Sequence, residues 1–328
     1  MSRQQQPIDL STLRGQIAIV TGSGNGGIGW GISRHAASLG MHVVMIDLHQ
    51  GLVDDAALRL RDEFPEVDVI GVQCDVTVES DMARSLELID AHFNGASGGA
   101  SEPRNIGAVF ANAGVIFNRT ILKSTLDEWA TTLNVNVLGV VNTLRHFAPR
   151  LREQGTECLV VNTASIGGLV RGDGGGGAYQ ASKHAVVALT ESLSFELARN
   201  APWIHVHVLC PCIVQSALGA TSQVNVQVAA GARSADEVHA PDFGDNGLSM
   251  TTERHAEQVF DLIAAGHFYL ITDNVRPYVD HDSPFDGLAI VRERFENMMA
   301  LQVDNADAFV EREGRRPSAI LKGPMFKG

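Results

Sequence analysis

Seven short apolar runs punctuate the chain from Gly15 onward: QIAIVTG, HVVMID, VIGVQCD, IGAVFANAG, ECLVVNTAS, IHVHVLCP and HFYLIT. Their near-continuous, β-branched character predicts strands buried on both faces. Between them lie ISRHAASLG, LVDDAALRLRDEFP, ESDMARSLELIDAHF, LDEWATTLNVNVLGVVNTLRHFAPRLREQG, YQASKHAVVALTESLSFELARN and TTERHAEQVFDLIAAG. Apolar positions recur there every three to four residues, which predicts helices with one buried face. Thr77, Glu79 and Asp81 before the third of these, and Thr251 with Glu253 before the last, supply helix-start chemistry. Alternation of this kind predicts an α/β, doubly wound parallel sheet of about seven strands with helices on both faces, forming one domain over residues 1–328. Three segments stand outside the alternation: a small polar insert at 94–105, an aperiodic stretch at 217–250, and a C-terminal extension over 276–328 that ends in a polar tail. A connection as long as 217–250 suggests a cover over a substrate.

Composition narrows the classes. Of 328 residues, 45% are apolar, enough for a sizeable core, and the formal net charge is −13. Such a field repels a nucleic-acid backbone, so nucleic acid is not an expected partner. No apolar run is long enough to span a membrane and the N-terminus has no signal-like apolar stretch, so a cytoplasmic protein is expected. The four cysteines, Cys74, Cys158, Cys210 and Cys212, contain no C-x-x-C pair, and the histidines form no spaced ligand set. Reduced thiols and no metal are expected.

Glycine is in excess, with 33 residues, and two short stretches concentrate it. The first, Gly22 to Gly31, follows the first strand and opens the first helix. Glycines there permit a tight turn and leave helix N-terminal N–H groups to face a pyrophosphate. No Lys-Ser/Thr follows, which excludes a P-loop. The second strand ends in Asp47, a carboxylate placed to accept the adenosine ribose hydroxyls and to repel a 2′-phosphate. No Arg or Lys stands beside it, so NAD is expected over NADP. Asp75 closes the third strand and has two readings, contact with the adenine amino group or capping of the next helix.

Tyr179 and Lys183 lie four residues apart, on one helix face. An adjacent ammonium favours the phenolate and draws the phenol's pKa down from about 10. Ser165 ends the fifth strand, where this architecture binds ligands, and can donate to a carbonyl oxygen while Tyr179 supplies a proton.

These pieces, in this order, resemble the classical short-chain dehydrogenase/reductase family over residues 12–275: T21GSGNGGIG29, Asp47, Asp75, N112AG114, N136VLG139, Ser165, Y179QASK183 and P211CIVQS216. The resemblance implies a Rossmann-type fold and a catalytic set of Asn136, Ser165, Tyr179 and Lys183. Tyr179 would be the acid–base group. Lys183 would lower its pKa and bind the nicotinamide ribose, Ser165 would orient the substrate oxygen, and Asn136 would hold a water linking Lys183 to solvent. The cofactor site implied comprises Gly22, Asn25, Gly27, Ile28 and Gly29 in the first turn, Asp47, Asp75 and Val76, Asn112, Ala113 and Gly114, Tyr179 and Lys183, and Pro211, Val214 and Ser216. Val214 and Ser216 would grip the nicotinamide carboxamide. Two departures are visible: the glycine motif carries one extra residue, with Gly26 the insertion, and Cys212 replaces the family's glycine after Pro211.

The second glycine cluster, within 167–177, joins the strand of Ser165 to the helix of Tyr179 and so borders the substrate side. The expected activity is NAD-dependent interconversion of a secondary alcohol and a ketone, on a hydrophobic, aromatic or cyclic small molecule. NADP-dependent carbonyl reduction, isomerase or dehydratase action with tightly bound NAD, and non-catalytic NAD binding are the alternatives. A homodimer or homotetramer is implied, with the helices around 125–150 and 179–199 packing across subunits.

Overall fold

The computed structural model describes residues 7–24, 26–95, 104–169, 176–216, 218–219, 222 and 249–272. Its elements all belong to one unit, Gln5–Val275. Asn25, most of the 217–250 segment, the centre of the second glycine cluster and the extension 276–328 lie outside the described residues.

All seven expected strands form: β1 (Ile17–Thr21), β2 (His42–Asp47), β3 (Val69–Gln73), β4 (Ile106–Ala111), β5 (Cys158–Thr163), β6 (Ile204–Pro211) and β7 (Tyr269–Thr272). They make one sheet in the order β3-β2-β1-β4-β5-β6-β7, and every adjacent pair is parallel. The chain leaves β1 towards β2 and β3, then returns to place β4 on the other side of β1. Strand order reverses there, and a crevice opens at the strands' carboxyl ends.

Each β1 residue is buried, as are all six of β4 and of β5, which is why these runs read as continuous rather than alternating. The period of two still sorts the side chains between faces. Ala18, Val20, Val43, Met45 and Phe110 join a core with residues from α1 (Ile28–Ser38), α2 (Gln50–Glu63) and α7 (Thr252–Ala264). Opposite them lie α3 (Glu79–Asn94), α4 (Leu126–Leu133), α5 (Gly139–Gln154) and α6 (Gly177–Asn200), with α3 against α5 and α4 against α6.

Helices depart from the sequence expectation in three places, two of them at a start. First, α1 begins at Ile28, inside the glycine cluster, so Gly29 and Gly31 are helical despite glycine's cost there. Packing explains both. A Cβ on Gly29 would stand 2.3 Å from the Gly22 carbonyl oxygen, and one on Gly31 would stand 2.4 Å from that of Thr252. Second, α3 has Val78 as its N-cap with no side-chain cap, so Thr77 does not cap it. Asp81 instead accepts the Asp75 N–H at 3.0 Å. Third, the helical stretch from Leu126 to Gln154 is interrupted by a π-helical turn at Asn134–Leu138, where the Gly139 N–H reaches back to the Asn134 carbonyl. Thr251 does cap α7, accepting from the Arg254 N–H.

Candidate active site

A cleft of about 590 Å³ lies at the carboxyl ends of the strands, with Gly22, Asp47, Asn112, Ser165, Tyr179 and Lys183 on its walls. These come from the turns after β1, β4 and β5, from the end of β2 and from α6. Long-range folding is therefore needed to assemble them.

At one end the chain turns tightly after β1. Gly22 has φ +67°, and a Cβ on it would come within 2.8 Å of the Ala113 backbone. Gly26, the extra residue of the motif, has φ +77° with open space around it, so it extends the turn without disturbing the packing. Gly27 is the N-cap of α1 and no side chain caps the helix. Its first-turn N–H groups are left for an anion, and both Gly27 and Ile28 border the cleft. Gly29 lies behind this wall, against Gly22, and acts through packing. Asp47 faces the turn: Oδ2 accepts the Gly24 N–H and Oδ1 the Leu48 N–H, each at 2.8 Å. Burial raises the pKa of its carboxyl, and the hydrogen bonds from Gly24 and Leu48 oppose that rise. An uncapped helix N-terminus beside an oriented carboxylate fits the diphosphate and ribose of a dinucleotide.

Along the middle, Asn112 ties three strands together. Its Nδ2 donates to the carbonyls of Thr21 and Gly22, and its Oδ1 accepts the Thr163 hydroxyl at 3.2 Å. Thr21 completes the lock, its hydroxyl oxygen accepting the N–H groups of Asn112 and Ala113. Ala113, Gly114, Asp75 and Val76 border the cleft as expected. Asp75 Oδ1 accepts both the N–H and the hydroxyl of Thr77, so that oxygen organises the turn after β3.

At the far end, Lys183 is buried and its Nζ donates to the Thr163 carbonyl at 2.7 Å. The ammonium stands 5.6 Å from the centroid of the Tyr179 ring. Loss of water dominates both groups. It raises the Tyr179 phenol above its usual value, against a lowering hydrogen bond with Ser165. It draws the Lys183 ammonium down to about 8. In the protein alone burial sets the direction for the phenol and Ser165 is what opposes it, so the lowering expected from the lysine neighbour is not what governs Tyr179. Pro211, Cys212, Val214 and Ser216 close this end. Val214 is bridged to Met250, which fixes the stretch after β6.

Asn136 is buried and does not border the cleft. Its side chain spans the Val115 peptide, Oδ1 accepting the N–H at 2.8 Å and Nδ2 donating to the carbonyl at 3.0 Å. Thr21, Thr163 and Ser182 have no role of their own in the sequence motifs, yet their hydroxyls or carbonyls hold the expected residues in place. A hydroxyl residue at the end of β1 and of β5 was the available signal. Among the described residues no group of three or more His, Cys, Asp or Glu side chains is arranged to hold a metal ion. No described helix is long and apolar enough to cross a membrane.

Comparison with known proteins agrees with this architecture. Residues 16–226 match the family model for short chain dehydrogenase. A 1-deoxy-11-beta-hydroxypentalenate dehydrogenase of Streptomyces avermitilis is 30% identical over 267 residues, covering 80% of this chain and 86% of that protein. An NADP-dependent (R)-specific alcohol dehydrogenase of Lentilactobacillus kefiri is 30% identical over 207 residues, covering 63% of this chain and 76% of that protein. Among solved structures, a short-chain dehydrogenase/reductase from Burkholderia phymatum in complex with NAD superposes with a TM-score of 0.69 at 29% identity, covering 88% of this chain and 96% of that one. With a seven-stranded parallel sheet, a glycine turn at the switch point and a family match over most of the chain, this protein belongs to the short-chain dehydrogenase/reductase family of NAD(P)-dependent oxidoreductases.

Proposed function

We propose that the protein interconverts a secondary alcohol and a ketone on a hydrophobic small molecule, using NAD, with Tyr179 as the acid–base group. The observation that carries this reading is the grouping of Ser165, Tyr179 and Lys183 at one end of the cleft whose other end holds the uncapped α1 N-terminus and Asp47. When bound, the nicotinamide supplies or accepts the hydride. The first-turn N–H groups of α1 hold the diphosphate. Asp47 accepts the adenosine ribose hydroxyls, and its charge opposes a 2′-phosphate. Lys183 holds the nicotinamide ribose hydroxyls, and Val214 and Ser216 fix the carboxamide. Ser165 donates to the substrate oxygen. In reduction Tyr179 gives that oxygen its proton; in oxidation the phenolate removes the hydroxyl proton. Lys183, held near 8, exchanges protons at working pH, and its charge favours the phenolate once cofactor and substrate have displaced water.

A panel of ketones and secondary alcohols, offered with NAD(H) and NADP(H) and followed by nicotinamide absorbance, tests the activity. Tyr179→Phe should bind NAD within about twofold of the native protein and lose about 10²- to 10⁴-fold in turnover. Near-native turnover by that variant would remove Tyr179 from the mechanism. The proposed homodimer or homotetramer is supported by the exposure of Leu122, Leu126 and Leu138 on and around α4, at 97%, 86% and 55%.

A further inference from the structure

Ser182 sits between Tyr179 and Lys183 on α6 and is fully buried. Its hydroxyl donates to the Tyr179 carbonyl at 2.6 Å and accepts from Asn136 Nδ2 at 2.9 Å. Asn136 is itself held by both polar groups of the Val115 peptide, just past β4. An unbroken hydrogen-bond chain therefore runs from the end of β4, through the π-helical turn, to the peptide of Tyr179. The first turn of α6 needs such an anchor. Its N-cap is Gly176, in the left-handed region with φ +67°, and no side chain caps the helix. On its other flank the backbone of Gly168 abuts that of Lys183 so closely that a Cβ would stand 2.6 Å from the Lys183 carbonyl oxygen.

We propose that Ser182 is a positioning residue for Tyr179: by joining the Tyr179 peptide to Asn136, its hydroxyl holds the phenol in register with Ser165 and Lys183. The inference rests on the reading of Tyr179 as the acid–base group. The hydroxyl suits the task because it donates and accepts at once. Without it, Asn136 Nδ2 keeps a buried N–H with no acceptor on α6, and the Asn136 amide has reason to turn away from the helix. Tyr179 would then lose part of the hydrogen bond with Ser165 that opposes the rise of its pKa.

The chain has only three tyrosines, so ¹³Cζ-tyrosine labelling reads Tyr179 directly. Comparison with Tyr179→Phe assigns its signal. In the NAD-loaded protein, Ser182→Ala should move the ionisation midpoint of Tyr179 upward by about half a pH unit or more. Ser182→Cys, which keeps the volume but offers only weak hydrogen bonding, should move it the same way and decides the matter if the alanine variant does not fold. Thr190→Val is the control. Thr190 is buried on the same helix, donates to the Val186 carbonyl and accepts from Asn162, so losing its hydroxyl costs stability but should leave the midpoint in place. With a substrate from the panel, Ser182→Ala should lower kcat about tenfold at unchanged KM, which corresponds to about 1.4 kcal/mol. An unmoved midpoint, an equal shift in Thr190→Val, or an unchanged kcat would each overturn the proposal. Full turnover by Tyr179→Phe would instead overturn the acid–base reading, whatever the Ser182 variants do to the Tyr179 signal.

Discussion

Both oxygens of Asp47 already accept a backbone N–H, from Gly24 and from Leu48. The carboxylate is thereby aimed before any ligand arrives, and each oxygen retains acceptor capacity for a ribose hydroxyl. On the proposed reading, Asp47→Ala removes a charge that opposes a 2′-phosphate, and it also frees the Gly24 turn. The ratio of NAD to NADP affinity, read by titration with each cofactor, should fall about tenfold or more; an unchanged ratio would transfer cofactor choice to other residues. Asp47 was legible in the sequence because the end of the second strand after a glycine turn is a fixed address. Tyr179 and Lys183 were legible because four residues return a helix to the same face. Ser182 was not, since its meaning depends on Asn136, a partner 46 positions away.

At the scale of the elements, β7 is an edge strand fastened by two buried histidines. His207 on β6 bonds through Nδ1 to the His267 carbonyl just before β7, at 2.7 Å. His255 on α7 bonds through Nδ1 to the Thr272 hydroxyl at its end, at 2.9 Å. Burial pushes both pKa values down to about 4, with neighbouring His205 and His267 also opposing a charge on His207. In the unfolded chain each binds a proton near pH 6.5. Between about 6.5 and about 4 the unfolded state therefore holds more protons than the folded one. The stabilisation is complete above that window and falls as pH drops through it, by about 1.4 kcal/mol per pH unit for each histidine. Urea midpoints measured from pH 7 to pH 5 should decline accordingly, and a flat profile would contradict the neutral assignment. The strands themselves were easy to read, since burial on both faces writes an uninterrupted apolar run. The start of α1 was not: glycine argues against a helix at Gly29 and Gly31, and only the close approach of the Gly22 and Thr252 carbonyls shows why glycine is required.

For the molecule as a whole, the proposed assembly has a surface to test. Leu122, Leu126 and Leu138 expose apolar side chains on and around α4, the surface on which the proposed assembly would rest. Leu122→Ser with Leu126→Ser should shift the sedimentation or light-scattering mass towards the monomer, while either a native mass or a monomeric parent protein would dissociate this surface from assembly. The same scale separates what the chain determined alone from what folding decided. Apolar runs, helical spacing and residues at strand ends determined the seven-stranded fold, the glycine turn, Asp47 and the Tyr179–Lys183 pair, because each signal lies within one turn or one strand. Tertiary structure alone decided that Asn136 clamps the Val115 peptide behind the cleft, that Lys183 donates a hydrogen bond to the Thr163 carbonyl, and that burial raises the pKa of the Tyr179 phenol. Those outcomes depend on how much water the packed elements remove and on which distant groups they bring within hydrogen-bonding distance, and neither quantity is written in a local pattern.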